Sequence, residues 1–158
     1  MASVKSSTDE VLVLEEFLPC RLNLLANVVA RGFTRLYSER FGLSLPEWEV
    51  LAVLGRYGTL TSVEVCERAD MHKTMVSRAV GELERRGLLT RRVNRADRRE
   101  AMLSLTDPGR RMHGQILPLA RSYARQLTTE LSDVDLATFD RVAATLRRRS
   151  DVVASTGA

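Results

Sequence analysis

Across residues 72–81, His72, Lys73, Thr74, Ser77, Arg78 and Gly81 are small, hydrogen-bonding or cationic. Between and after them, Val76, Ala79, Val80 and Leu83 recur at three- and four-residue steps, the period of a helix with one buried face. Such a helix turns the polar set outward together. An α-helix is about as wide as the major groove of B-form DNA, and donors and acceptors on its exposed face reach base edges there. A second group, Arg95, Asp97, Arg98 and Arg99, falls in the polar run Asn94-Arg95-Ala96-Asp97-Arg98-Arg99. Long cations in a polar tip suit phosphates or a narrow, electronegative minor groove.

The charge distribution points the same way. From Arg68 to Arg111 there are 12 basic and 6 acidic residues, net +6, whereas the remaining residues carry 12 and 14, net −2. Positive charge concentrated in one segment is the electrostatic footprint of a phosphate-binding surface. A solvated basic face is the plain alternative, and charge alone does not separate the two. Of the 24 basic residues only Lys5 and Lys73 are lysine.

The elements that must position these residues follow from the pattern. Residues 11–18 are apolar around Glu15-Glu16 and fit a short helix; Pro19 suits the first turn of a long one. Leu22, Leu25, Ala26, Val29, Phe33, Leu36 and Tyr37 carry that helix to about Phe41, where Gly42 ends it. Pro46 opens a second helix with Trp48, Leu51, Ala52 and Leu54 inward, closed by Gly58. Thr61-Ser62-Val63-Glu64 is a capping box for a short third helix, Ser62 to Ala69, with Cys66 on its inward side. The fourth helix runs from about Lys73 to Arg86 with Gly87 as its cap. Residues 88–93 and 101–105 read as two strands joined by the basic tip. Thr106 caps a fifth helix, to about Leu131 and kinked at Pro118, and a sixth runs to about Arg149 before a tail. This order describes a mainly α fold with a small β-wing: a winged helix-turn-helix with six helices.

These residues resemble the MarR (multiple antibiotic resistance regulator) family of bacterial transcription factors, from about Leu18 to Arg149. The strongest match is Asp97-Arg98-Arg99 followed by Met102-Leu103-Ser104-Leu105-Thr106-Asp107-Pro108-Gly109, similar to the family's wing signature. Leu45-Pro46-Glu47-Trp48-Glu49-Val50-Leu51 and Val76-Ser77-Arg78-Ala79-Val80 also match. The resemblance implies an intertwined homodimer that binds a palindromic operator in double-stranded DNA and is released by a small molecule or an oxidant. It implies that Asp97 braces the wing against an arginine, that Arg99 enters the minor groove, and that Arg95 and Arg98 flank it. His72 stands where the family often has an aspartate N-cap; histidine is expected to cap poorly and, if protonated, to oppose the helix dipole. The domains expected are a tail at 1–10, dimerisation helices at 11–44 and 107–150, and a DNA-binding domain at 45–106. Apolar stripes including Ile116, Leu119, Leu127, Leu136, Phe139 and Leu146 need partners that single helices lack.

Two triggers are legible. For a small ligand, such as an aromatic acid or acyl thioester, the polar and aromatic candidates are Arg21, Asn23, Arg31, Arg35, Trp48 and His113. The segment Leu18-Pro19-Cys20-Arg21-Leu22-Asn23 also resembles regulators of aromatic-acid catabolism. For an oxidant, Cys20 lies near the position of the family's peroxide-sensing cysteine, with Arg21 beside it. The sensors add tyrosines, and the matching positions here are Thr34 and Leu45. An enzyme is the competing class: His72 and His113 are the two histidines, and there is no zinc spacing, phosphate loop or nucleophile elbow. A Cys20–His113 thiol hydrolase would lack a third member. The expectation is a non-enzymatic protein with no metal or cofactor. A non-DNA-binding interaction module is the remaining class, and salt-dependent duplex binding separates both from a regulator. With no apolar run near the roughly 20 residues of a membrane span, no signal-peptide core and two cysteines only, a soluble cytoplasmic protein is expected.

Overall fold

Pro19 stands in the first turn of α1 (Leu18–Phe41), and Gly42, left-handed at φ 62°, ends it by donating its N–H to the Ser38 carbonyl. The computed structural model describes residues 12–93 and 101–156. After α1 come α2 (Leu45–Tyr57), β1 (Leu60–Thr61), α3 (Ser62–Ala69), α4 (Lys73–Arg85), β2 (Leu89–Val93), β3 (Ala101–Leu105), α5 (Asp107–Leu127) and α6 (Asp133–Thr156). The three strands form one antiparallel sheet in the order β1-β3-β2, with Leu60 opposite Leu103 and Leu89 opposite Leu105. Six helices and a three-stranded wing are the winged helix-turn-helix architecture.

The local signals explain most boundaries. At α3 the capping box is reciprocal: the Glu64 N–H donates to Thr61 Oγ1 (3.2 Å) and the Thr61 N–H donates to the Glu64 carboxylate (2.7 Å). Asp70, left-handed at φ 52°, makes the turn between α3 and α4. The inward stripe of α4 is Val76, Ala79, Val80 and Leu83, all buried, as the periodicity requires. They join Tyr37, Val50, Leu51, Leu54, Val65, Leu103 and Leu105 in the core.

Several expectations are corrected. Residues 14–16 form a turn and no helix precedes α1 among the described residues. The cap of α4 is Arg86, with Gly87 one position later at φ 69°. Strand β1 has two residues, too few for a periodic signal, and is created by its pairing to β3. On α2, Val50 is fully buried and Ala52 only half so. Val65 faces the core of α3, and Cys66 is half-buried. Helix α5 ends at Leu127 and runs unbroken across Pro118. Helix α6 continues to Thr156 where a tail was expected, because Ser150 to Thr156 contains no glycine or proline to stop it.

The chain divides into two compact units, one ending at Leu119 and one beginning at Ala120. In the first, Ile116 is completely buried, so it finds its partners within the chain. Leu22, Leu24, Leu25 and Val28 on α1 remain exposed. In the second, Leu127, Val134, Phe139 (59% exposed), Val142, Val152 and Val153 are exposed, and no residue of α6 is buried.

Candidate nucleic-acid interface

Helix α4 sorts its residues cleanly. With its stripe against the core, His72, Lys73, Thr74, Ser77, Arg78 and Gly81 are all exposed. Met75 is also outward, at 47% exposure, so the face carries one bulky apolar side chain the sequence reading did not place there. His72 is the N-cap and does cap: its Nδ1 accepts from the Thr74 N–H at 3.3 Å. An unprotonated imidazole nitrogen is an acceptor, which replaces the expected poor cap.

Not all of the segment's positive charge is free. Arg85 pairs with Glu82, Arg91 with Glu84 (3.5 Å), and Arg110 with Asp107. Arg68 lies 4.2 Å over the Tyr57 ring, with Arg56 at 5.0 Å on the same ring. Lys73 and Arg78 pair with no carboxylate among the described residues. Arg92 on β2 and Arg111 on α5 are likewise exposed and unpaired among the described residues, so the cations left for an external anion include the outward pair of α4. The wing residues Arg95, Asp97, Arg98 and Arg99 lie outside the described residues.

The strands that carry the wing are pinned to α5. The Thr106 N–H donates to the Leu88 carbonyl (3.1 Å), and the Thr106 hydroxyl donates to the Gly87 carbonyl (2.7 Å) while accepting from the Gly109 N–H (3.2 Å). Arg110 donates to the Leu105 carbonyl at 2.6 Å. The Leu-Thr-Asp-Pro-Gly run of the sequence is thus the hinge pin between wing and helix.

The residues proposed for a ligand fall into three places. Trp48 is buried, and His113 of α5 stacks on it at 5.9 Å between centroids and 15° between planes. Phe33 meets Trp48 edge-on at 5.7 Å and Tyr37 is 4.8 Å from Phe33, so an aromatic series links α1, α2 and α5. Arg31 and Arg35 line a groove of about 340 Å³ with Asn27, Thr34, Ser38 and Leu45. Arg21 lies ten residues earlier on α1, about 15 Å along the axis from Arg31; Asn23 accepts from the Asn27 amide at 3.2 Å. Arg21 therefore does not join the groove's arginines in one site, whereas Asn23 adjoins the groove through its bond to Asn27. Cys20, half-buried, is likewise about 21 Å along α1 from Thr34. Among the described residues no group of three or more His, Cys, Asp or Glu is placed to hold a metal ion. No helix there is long and apolar enough to cross a membrane.

Burial of His113 lowers its pKa from the ordinary value of 6.5, and burial of Glu49 raises that carboxyl above 4.5. The signs oppose each other. A histidine held neutral gives stability that is present above about pH 6.5 and falls as the unfolded chain takes up protons below it. Glu49 gives stability that is present below about pH 4.5 and lost as pH rises through its folded value. We therefore expect His113→Gln to flatten the loss of stability between pH 7 and 5 relative to wild type, read from urea midpoints across that range. Parallel wild-type and variant curves would overturn the assignment.

Comparison with known proteins agrees with this geometry. Residues 41–100 match the MarR family. The HTH-type transcriptional repressor MdtR of Bacillus subtilis is 37% identical over 71 residues, 45% of this chain and 46% of that protein. The match thus spans about half the length of that curated relative. Among solved structures, the PcaV transcriptional regulator of Streptomyces coelicolor, in complex with its natural ligand, superposes with a TM-score of 0.75 at 24% identity, covering 89% of this chain and 96% of that one. A variant MarR of E. coli complexed with operator DNA gives 0.71 at 22% identity, covering 85% and 98%. Both structural likenesses describe the fold.

Proposed function

We propose that the chain is a transcriptional regulator of the MarR family, which its residues 41–100 match: a repressor that binds a palindromic DNA operator as a homodimer. The observation that carries the proposal is the outward face of α4. Lys73, Thr74, Ser77 and Arg78 are exposed together on a helix whose other face is locked in the core, and the two cations have no acidic partner among the described residues. Arg78 and Ser77 read base edges in the major groove, and Lys73, Thr74 and His72 approach the backbone. Arg95, Asp97, Arg98 and Arg99, which lie outside the described residues, add the second set of DNA contacts, with Arg99 in the minor groove. Residues 45–106 are the DNA-binding domain, and 11–44 with 107–150 the dimerisation region. The exposed leucines of α1 and the exposed apolar residues of α6 supply the surface a second copy covers. The protein acts by occupying DNA, with no catalytic step.

The effector is a small anionic molecule such as an aromatic acid or acyl thioester. Support comes from Arg31 and Arg35, one helical turn apart in a groove with the hydroxyls of Thr34 and Ser38, and from the PcaV structure with its ligand.

Selection from a pool of random duplexes tests the central claim. The wild-type protein should enrich an inverted repeat whose half-sites lie roughly 10–10.5 bp apart, centre to centre, the spacing of two recognition helices related by a two-fold axis. Light scattering should give about 35 kDa, twice the 17.7 kDa chain. A folded monomer at micromolar concentration, or no enriched sequence, would defeat the proposal.

A further inference from the structure

We infer that Arg86 is a positioning residue for DNA recognition, tying the recognition helix to the end of α1 through one guanidinium; this rests on the DNA-binding reading above. Arg86 is the cap residue of α4, and its backbone N–H closes that helix on the Glu82 carbonyl (3.0 Å). Its side chain leaves α4 altogether. Nη2 donates to the Phe41 carbonyl at 2.7 Å and Nη1 to the Gly42 carbonyl at 2.8 Å. Nη1 also lies 4.0 Å from the Glu47 carboxylate, which itself accepts from the Ser44 N–H at 2.9 Å. The C-terminal ends of α1 and α4 and the N-terminal end of α2 thus meet at one planar cation.

The chemistry suits the place. The last carbonyls of a helix have no intrahelical donor, and the macrodipole makes that end partially negative. Gly42 satisfies the Ser38 carbonyl by turning left-handed, which leaves the final carbonyls of α1 to an outside donor. A guanidinium answers with two donors in a fixed fork, whereas an ammonium is a point charge that fixes no plane. The buried anchors of α4 are apolar, Val76, Ala79, Val80 and Leu83, and its other polar tie, the Glu84–Arg91 pair to β2, is solvent-exposed and weak. Apolar burial is non-directional, so it holds the helix in contact without fixing its slide or rotation. The Arg86 hydrogen bonds are directional and close to 2.8 Å, and they fix both. Base readout needs that precision, because a bidentate contact from Arg78 fails when its donors miss the base edge. Phosphate contacts tolerate more.

Arg85 is the built-in control. It is the adjacent cation, its side chain 73% exposed, and among the described residues it pairs only with Glu82 on its own helix. Removing it subtracts the same charge without touching α1.

The experiment uses the full chain and two probes: the duplex that wild type selects from a random pool, and a random-sequence duplex of equal length. Dissociation constants are measured for both at several salt concentrations, below the melting temperature of each variant. Arg86→Ala should bind the selected duplex about tenfold or more weakly, while its affinity for the random duplex stays within about threefold and the salt slope is unchanged. Arg86→Lys, which keeps the charge and one donor at a time, should fall between. Arg85→Ala should keep the wild-type ratio of selected to random binding. If Arg86→Ala flattens the slope by about one unit and weakens both duplexes alike, Arg86 is a phosphate contact and the inference is overturned. It is equally overturned if Arg86→Ala keeps the wild-type ratio. Should Arg86→Ala fail to fold, Arg86→Lys decides: a wild-type ratio in that variant refutes positioning by the fork. If wild type selects no sequence, the DNA-binding reading itself has failed, which is a different result from a wild type that selects and an Arg86 variant that selects as well.

Discussion

Gly109→Ala is expected to destabilise the winged-helix unit by about 3 kcal/mol, the upper end of the cost of overpacking. A Cβ on Gly109 would lie 2.0 Å from the Leu88 carbonyl oxygen and 3.0 Å from its carbon. Both are backbone atoms, so no rotamer change relieves the contact. The carbonyl that must move is the acceptor for the Thr106 N–H, and Thr106 also holds Gly87 and the Gly109 N–H. One methyl group therefore displaces the junction of α4, β2 and α5 together. The requirement is space rather than dihedral freedom, since Gly109 has no positive φ. Gly81 gives the opposing control. It is a helix-interior glycine on the exposed face of α4, and a Cβ there meets nothing within 4 Å. Gly81→Ala should stabilise by about 0.5–1 kcal/mol. Urea midpoints at constant m-value measure both. A Gly109→Ala protein less than 1 kcal/mol below wild type would show that the helix start slides freely, contrary to the hydrogen-bond pattern.

Features written into a few consecutive residues were legible. The Thr61–Glu64 capping box, the Gly42 stop and the buried stripe of α4 each depend on near neighbours, and the structure repeats them residue for residue. What stayed hidden depends on partners far along the chain. Strand β1 exists because Leu60 and Thr61 find Leu103 and Met102, a pairing that no two-residue pattern announces. Arg86 reads as one of two arginines before a glycine; only the fold shows that Arg85 turns to Glu82 while Arg86 crosses to Phe41 and Gly42. Charge counting had a related blind spot. It sees net +6 between Arg68 and Arg111, but Arg85, Arg86, Arg91 and Arg110 are already engaged within the protein. The ligand candidates show the same limit: a sequence names Arg21 and Arg31 together, and the rise of a helix separates them by about 15 Å.

The division of labour between helix and wing gives the second large effect. Arg78 projects from α4 with its neighbours Ala79 and Val80 buried, so the helix face it starts from is set by the core. An arginine on that face suits the paired acceptors of guanine, and a good bidentate contact of this kind supplies roughly 1–3 kcal/mol of discrimination. Arg78→Ala should therefore bring selected and random duplexes closer in affinity by about tenfold or more. Arg99 acts differently in the proposed interface. At the wing it answers to charge and groove width, so Arg99→Ala should weaken binding on most sequences and flatten the salt slope by about one unit. Asp97 decides whether that wing is braced. Removing a negative charge near DNA should tighten binding if charge alone matters. If instead the carboxylate fixes an arginine in a bidentate pair, Asp97→Ala should loosen binding, because the cation loses its direction. Titrating one duplex at two salt concentrations separates the outcomes, and tighter binding by Asp97→Ala would remove the bracing role while leaving the Arg78 result untouched.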